Sequence, residues 1–157
     1  HSHMKKRMKE LEAPLAGEMS GHIFIADNYL GFDDAIYAAV RVITQMVKGG
    51  QSITEFMDSL PEQHATPELR IDCPDTVKFD SMEKIRAHVL SGHDAADVNS
   101  IDGVRVRSGD GWWLIRASNT EAALVARAEA ADRTALDRLL GDIETTLAAA
   151  GLDWKRP

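Results

Sequence analysis

Apolar and polar positions along the chain fall into helical and extended stretches, separated by turns that carry glycine or proline. Residues 5–12 set Met8 and Leu11 among basic side chains and predict the tail of a helix that starts without a capping residue. Ile23, Phe24 and Ile25 predict a short buried strand, entered through a turn bracketed by Gly17 and Gly21. In residues 31–50, Phe32, Ile36, Val40, Ile43 and Val47 recur at helical spacing and lay one apolar stripe along a helix. Asp33 and Asp34 stand at its start, where carboxylates accept from free N–H groups and complement the dipole, and Gly49 and Gly50 end it. A short helical stretch with Ile53, Phe56 and Met57 follows. Leu60 and Pro61 then mark a candidate domain boundary.

Beyond the boundary, residues 67–73 alternate Leu69, Ile71 and Cys73 with Glu68, Arg70 and Asp72, the pattern of a half-buried strand. Residues 79–90 predict a helix with Met82, Ile85 and Val89 inward. Residues 98–101 and 104–107 predict a hairpin turning at Asp102-Gly103, with a second turn at residues 109–111. Trp112 and Trp113 must face opposite sides of the strand that continues to Ile115, so one of them belongs to the core. A second apolar run covers residues 122–128. A last helix, residues 133–149, buries Leu136, Leu139, Leu140, Ile143 and Leu147 behind an Asp132 cap. This order predicts an α+β fold: an antiparallel sheet with two helices on one face, preceded by a partial α/β strand–helix unit.

Composition narrows the function classes. A chain of 157 residues suits one domain, or one domain plus part of another. With 44% apolar and 27% charged residues it is globular rather than disordered. A net charge of −7 argues against nucleic acid, although a few focused arginines can still hold phosphate. The lone cysteine, Cys73, leaves no internal disulfide and points to a reducing, cytoplasmic setting. No signal-like segment and no bilayer-length apolar run is visible, so no membrane partner is expected. His1–Met4 reads as the remnant of an expression tag, and its histidines are set aside as metal ligands. His88 and His93 read as solvent-facing, since no cysteine or third ligand accompanies them. The Asp33–Asp34 pair reads as a helix start, not a metal site, for want of a further carboxylate at supporting spacing. No metal site is expected.

The chemistry gathers in W-W-L-I-R-A-S-N-T-E, residues 112–121. A strand delivers Arg116 into a small polar loop of Ala117, Ser118, Asn119 and Thr120. A guanidinium fork, two hydroxyls, an amide and free backbone N–H groups suit an anion with several acceptor oxygens, phosphate foremost. By composition alone the stretch also fits an ordinary polar turn. Its order, R-x-S-x-T, resembles the phosphate-binding loop of the α-D-phosphohexomutases. G-E-x-S-G-H at residues 17–22 is similar to the sugar-recognition loop of the same family's third domain. G-F-D-D-A-I-Y-A-A, A-T-P-E-L and D-G-V-R-V resemble its phosphomannomutase/phosphoglucomutase group, so the resemblance spans nearly the whole chain after residue 4. Ala117 and Ala122 stand where the family usually has proline, which removes rigidity but no ligand-contacting group. The nearest alternative is the phosphoglucosamine mutase branch, which usually has glutamine at Met19 and glycine at Asn119. From another class, a stand-alone phosphate-binding or interaction module would not need G-E-M-S-G-H.

The resemblance implies that residues 5–60 are the end of the family's third domain and residues 61–157 its fourth, a TATA-binding-protein-like fold. It implies an intramolecular phosphotransferase of the isomerase class, interconverting glucose or mannose 1-phosphate and 6-phosphate through a bisphosphate. Phosphate would sit on Arg116, Ser118, Asn119 and Thr120, with Arg127 a weaker candidate outside the motif. Glu18 and Ser20 would bind the sugar hydroxyls on carbons three and four, and His22 would place the sugar or assist proton transfer. The family's phosphoserine and aspartate-rich Mg2+ loop match nothing here. Mg2+ is therefore expected only in a longer parent. The chain is expected to be an inactive C-terminal fragment, hinged near residues 58–63, whose incomplete first unit pairs with a second copy.

Overall fold

The structure is a computed structural model and describes residues 1–18 and 20–156. Met19, one of the two positions read as distinguishing the two mutase branches, lies outside the described residues. The chain divides between Pro61 and Glu62 into two units, each with its own internal packing.

In the first unit, helix α1 (Ser2–Leu11) precedes a hairpin of β1 (Leu15–Gly17) and β2 (Ile23–Ile25), paired from Leu15 with Ile25 to Gly17 with Ile23. The strand at residues 23–25 is where the pattern places it. Its partner β1 leaves no pattern in the sequence, because three residues are too few to show alternation. Helices α2 (Ala35–Gly49) and α3 (Ile53–Asp58) complete the unit. The α2 helix starts later than the pattern suggests. Gly31 at φ 71° and an isolated antiparallel bridge between Phe24 and Asp33 hold the preceding residues in a turn. Asp34 then caps the helix by accepting from Tyr37 N–H at 2.9 Å, which holds its carboxyl below the usual range. Gly50 closes the helix in the left-handed region. Ser52 and Glu55 form a reciprocal capping box on α3. The α2 stripe has the predicted period but lies in solvent: Ile36 is 81% exposed and Val47 78%.

The second unit holds β3 (His64–Ala65), β4 (Leu69–Asp72), α4 (Asp75–Gly92), β5 (Val98–Asn99), β6 (Val104–Ser108), β7 (Gly111–Ala117), β8 (Ala123–Ala130) and α5 (Arg133–Ala149). A single 3-10 turn at Ala95–Asp97 leads into β5. All the strands pair antiparallel in the order β3-β8-β7-β6-β5, and β4 also pairs with β8. The outer edge of β8 is thus shared, β3 lying against Glu129–Ala130 and β4 against Ala123–Ala126. Rows of cross-strand neighbours, Val104–Ile115–Ala126 and Val106–Trp113–Ala128, point to one face. Both α4 and α5 pack on that face, bringing Ile85, Val89, Leu139, Ile143 and Leu147 against it. Fully burying each of these side chains contributes about 1.5–3 kcal/mol, so this layer holds the unit together.

Trp113 is the core tryptophan, and Trp112 lies on the opposite face with the Arg105 guanidinium 4.7 Å above its ring. α5 and its Asp132 cap match the reading by position, Asp132 accepting from Ala135 N–H at 2.8 Å. The first hairpin does not turn in two residues at Asp102-Gly103. Asn99 Oδ1 accepts from Ile101 N–H at 3.0 Å and ends the ladder early, leaving a four-residue loop, residues 100–103. The two-residue turn is Gly109-Asp110, where Ser108 pairs with Gly111. Arg138 of α5 donates to the Asp110 carboxylate (Nε, 2.7 Å) and holds that carboxyl below the usual range.

Candidate functional site

Strands β7 and β8 stay in register up to Ala117 and Leu124, and residues 118–122 join them. Period-two alternation puts Arg116, Leu114 and Trp112 of β7 on the face away from the helices. Val125, Arg127 and Glu129 of β8 share that face, Arg116 facing Val125 and Leu114 facing Arg127. Arg127, outside the loop motif, is therefore a near neighbour of Arg116 on the same surface, and both are half-buried. The signal for it was present, since Arg127 is two residues beyond Val125.

The loop closes on itself. Ser118 N–H donates to Ala123 O at 2.9 Å. Ser118 is buried, and its Oγ accepts from Glu121 N–H at 3.1 Å and Thr120 N–H at 3.4 Å. Three of the backbone donors expected for an anion, the N–H groups of Ser118, Thr120 and Glu121, are thus used internally, and Ser118 shapes the loop as well as offering its own hydroxyl proton. Asn119 and Thr120 are exposed. Glu121 is ion-paired with Arg70 of β4, whose hydrogen bond holds the Glu121 carboxyl below the usual range. The pairing offsets a negative charge that would otherwise oppose an anion at the loop.

Two residues that hold this loop were missed. The Lys78 side chain of α4 is buried, and its Nζ donates to Ser118 O at 2.8 Å, Glu121 O at 2.9 Å and Asp75 Oδ1 at 2.6 Å. Three donors meet three acceptors, so the buried ammonium is satisfied and ties down both ends of the loop. Its signal was a lysine on the apolar stripe of its helix, four, seven and eleven residues before Met82, Ile85 and Val89. Gly103 is the other. With φ 77°, a Cβ here would stand 2.3 Å from Ile115 O and 2.5 Å from Arg116 Cβ. The loop before β6 lies against the base of Arg116, and only glycine permits that approach.

In the first unit, the β1–β2 turn brings Glu18, Ser20 and His22 together. Glu18 N–H donates to His22 O and Gly21 N–H to Glu18 O, both at 2.9 Å, with Gly21 at φ 90°. Ser20 Oγ donates to Glu18 Oε2 at 3.4 Å. Asp33 departs from the helix-start reading. Instead of capping α2 it turns back, with Oδ2 2.7 Å from His22 Nδ1 and Oδ1 accepting from Ile23 N–H at 3.2 Å.

The structure also brings together a group of side chains with metal-ligand chemistry. Among the described residues His1, His22 and Asp33 form a group whose ligand atoms lie within 4.8 Å of one another. The His1 ring sits edge-on to His22 at 4.5 Å. Two imidazoles and one carboxylate suit a zinc-like ion and do not fit Mg2+, which demands oxygen ligands. His88 and His93 are both exposed.

Among the described residues no helix is long and apolar enough to cross a membrane. The family model for the phosphoglucomutase/phosphomannomutase C-terminal domain matches residues 68–146, and that for alpha/beta/alpha domain III matches residues 1–64. A phosphomannomutase/phosphoglucomutase of Pseudomonas putida is 42% identical over 147 residues, 94% of this chain and 31% of that protein. One from Pseudomonas syringae pv. tomato is 39% identical over all 157 residues and 33% of its own length. The crystal structure of a phosphoglucomutase/phosphomannomutase family protein from Burkholderia thailandensis matches with a TM-score of 0.82 at 36% identity, covering 98% of this chain and 32% of that one. The chain thus spans about a third of the length of the relatives it matches. With one family's models following each other along nearly its whole length, this chain belongs to the phosphoglucomutase/phosphomannomutase family.

Proposed function

We propose that this chain is the substrate-binding portion of a cytoplasmic enzyme that interconverts hexose 1-phosphates and 6-phosphates of glucose and mannose. The first unit, residues 5–60, would serve as the end of domain III and the second, residues 61–157, as the phosphate-binding domain IV. The substrate's non-reacting phosphate is held by the Arg116 fork with Ser118, Asn119 and Thr120, and Arg127 stands on the same sheet face. Glu18, Ser20 and His22 read the sugar hydroxyls. The observation that carries this reading is that each motif occupies a hydrogen-bonded turn at the end of a paired strand.

The chemistry explains two separate readers. A phosphoryl group passes from an enzyme phosphoserine to the sugar, the bisphosphate turns end for end, and the other phosphate returns. One phosphate clamp and one reader of hydroxyls three and four, near the pivot, serve both orientations. Glucose and mannose differ at carbon two, which this loop does not address. Transfer rests on positioning and on charge neutralisation by a metal. This chain would contribute positioning, while the reaction also requires a phosphoserine and a metal.

Arg116→Ala is expected to weaken glucose 1-phosphate binding about 10–100-fold, since a hydrogen bond to a charged group contributes about 1.5–3 kcal/mol. Calorimetry on the two proteins decides it, and equal affinities would remove Arg116 from the site.

The exposed α2 stripe of Ile36, Val40, Ile43 and Val47 calls for a cover. In longer relatives the remainder of domain III would supply it, and in this chain a second copy would. Light scattering is expected to give twice the 17.3 kDa chain mass, falling to one chain in Ile43→Glu. A monomer at high protein concentration rules the pairing out.

A further inference from the structure

We propose that Asp33 is a positioning residue that fixes the tautomer of His22, so that the imidazole of the turn that carries Glu18 and Ser20 keeps its Nε2 unprotonated. A neutral imidazole has one N–H donor and one acceptor nitrogen, and the partner of one nitrogen decides the state of the other. Asp33 Oδ2 stands 2.7 Å from Nδ1, the length of a charge-assisted N–H···O contact. A carboxylate can only accept there, so the proton resides on Nδ1. A free histidine ring prefers the opposite arrangement, with the proton on Nε2. Asp33 inverts that preference.

The carboxylate is itself held from two sides. Its other oxygen accepts from Ile23 N–H at 3.2 Å, and its backbone bridges to the fully buried Phe24. The return is made by the turn between β2 and α2, where Asn28 and Gly31 take left-handed conformations and Gly31 N–H donates to Ile25 O at 2.9 Å. The ring plane and the direction of Nε2 are therefore set by strand β2 and not by the exposed turn. No described residue hydrogen-bonds to Nε2.

The consequence is a polarity assignment for the loop. Nε2 of His22 and the carboxylate of Glu18 are both acceptors, and the Ser20 hydroxyl already donates to Glu18. A ligand hydroxyl meeting His22 gives its proton to Nε2 and does not receive one. That last step rests on the sugar-loop reading above, whereas the tautomer does not.

Long-range proton–nitrogen correlation spectra of the imidazole, at about pH 9 where histidine is ordinarily neutral, read the tautomer directly. The expected pattern is a protonated-type Nδ1 and a lone-pair-type Nε2 for His22, persisting in His1→Ala, which removes the neighbouring ring. In Asp33→Ala the two nitrogens are expected to exchange character. A protonated-type Nε2 in the unaltered chain overturns the proposal whether or not Asp33→Ala folds, and so does an unchanged pattern in a folded Asp33→Ala. A tautomer switch with no loss of glucose 1-phosphate affinity upholds the Asp33 assignment and instead sinks the reading of His22 as a sugar contact.

Discussion

Replacing Lys78 with methionine is expected to cost the second unit about 2–5 kcal/mol and to abolish phosphate binding at residues 116–120. Methionine keeps the apolar stem of the side chain but removes three hydrogen bonds at once. The carbonyls of Ser118 and Glu121 then lose their donor, and each such loss costs about 1–3 kcal/mol. Asp75 is 71% exposed and simply hydrates, so it adds little. With neither end of the loop anchored, Asn119 and Thr120 lose their placement relative to Arg116. Lys78→Arg is not a rescue, because a planar fork cannot aim three donors at three converging oxygens. All three tryptophans lie beyond residue 61, so their fluorescence in a denaturant titration reports this unit alone. A loss below about 0.5 kcal/mol, the usual scale of surface substitutions, would mean that the ammonium does not hold the loop.

Gly103→Ala is expected to be similarly costly, about 3–5 kcal/mol, and to displace Arg116. The added methyl overlaps a backbone carbonyl of the same strand and the Arg116 Cβ, neither of which is the far end of a flexible chain. A non-glycine residue at this positive φ adds about 1–3 kcal/mol of strain. The strand must shift at the residue proposed to grip phosphate, so stability and affinity should fall together. Gly109→Ala provides the control, since a Cβ there meets nothing within 4 Å. If both variants unfold at the same denaturant concentration as the unaltered protein, the close approach at Gly103 is not a constraint.

Features whose signals are local in the sequence appear in the structure where the pattern puts them. Helix α5 has its cap, its apolar period and its end within one stretch, and it forms over the predicted residues. β7, the polar loop and β8 follow their apolar runs in the same way. What escaped depends on distant partners. A two-residue strand such as β3 has no period to detect and exists because β8 has an open edge. The α2 stripe announced an apolar face correctly, but periodicity says nothing of what covers it. At the loops, the motif residues Glu18, Ser20, His22 and Arg116–Thr120 were visible in the sequence, whereas their supports were not. Lys78 acts across 40 residues, and Gly103 is constrained by a strand that follows it. An aspartate before a helix usually caps it, so the sequence by itself assigns both Asp33 and Asp34 to the helix start. Only the fold of the turn decides that Asp34 caps and Asp33 returns to His22.

The proposed roles, phosphate binding at residues 116–120 and sugar-hydroxyl binding at residues 17–22, are tested most directly by a backbone-amide NMR titration with glucose 1-phosphate. Shifts are expected only at residues 116–121 and 17–23, with inorganic phosphate moving the first set only and mannose 1-phosphate moving both. Shifts that centre instead on the depression at the other end of the sheet, lined by Arg105, Arg107 and Trp112, would contradict these roles. So would no shifts at all up to millimolar ligand.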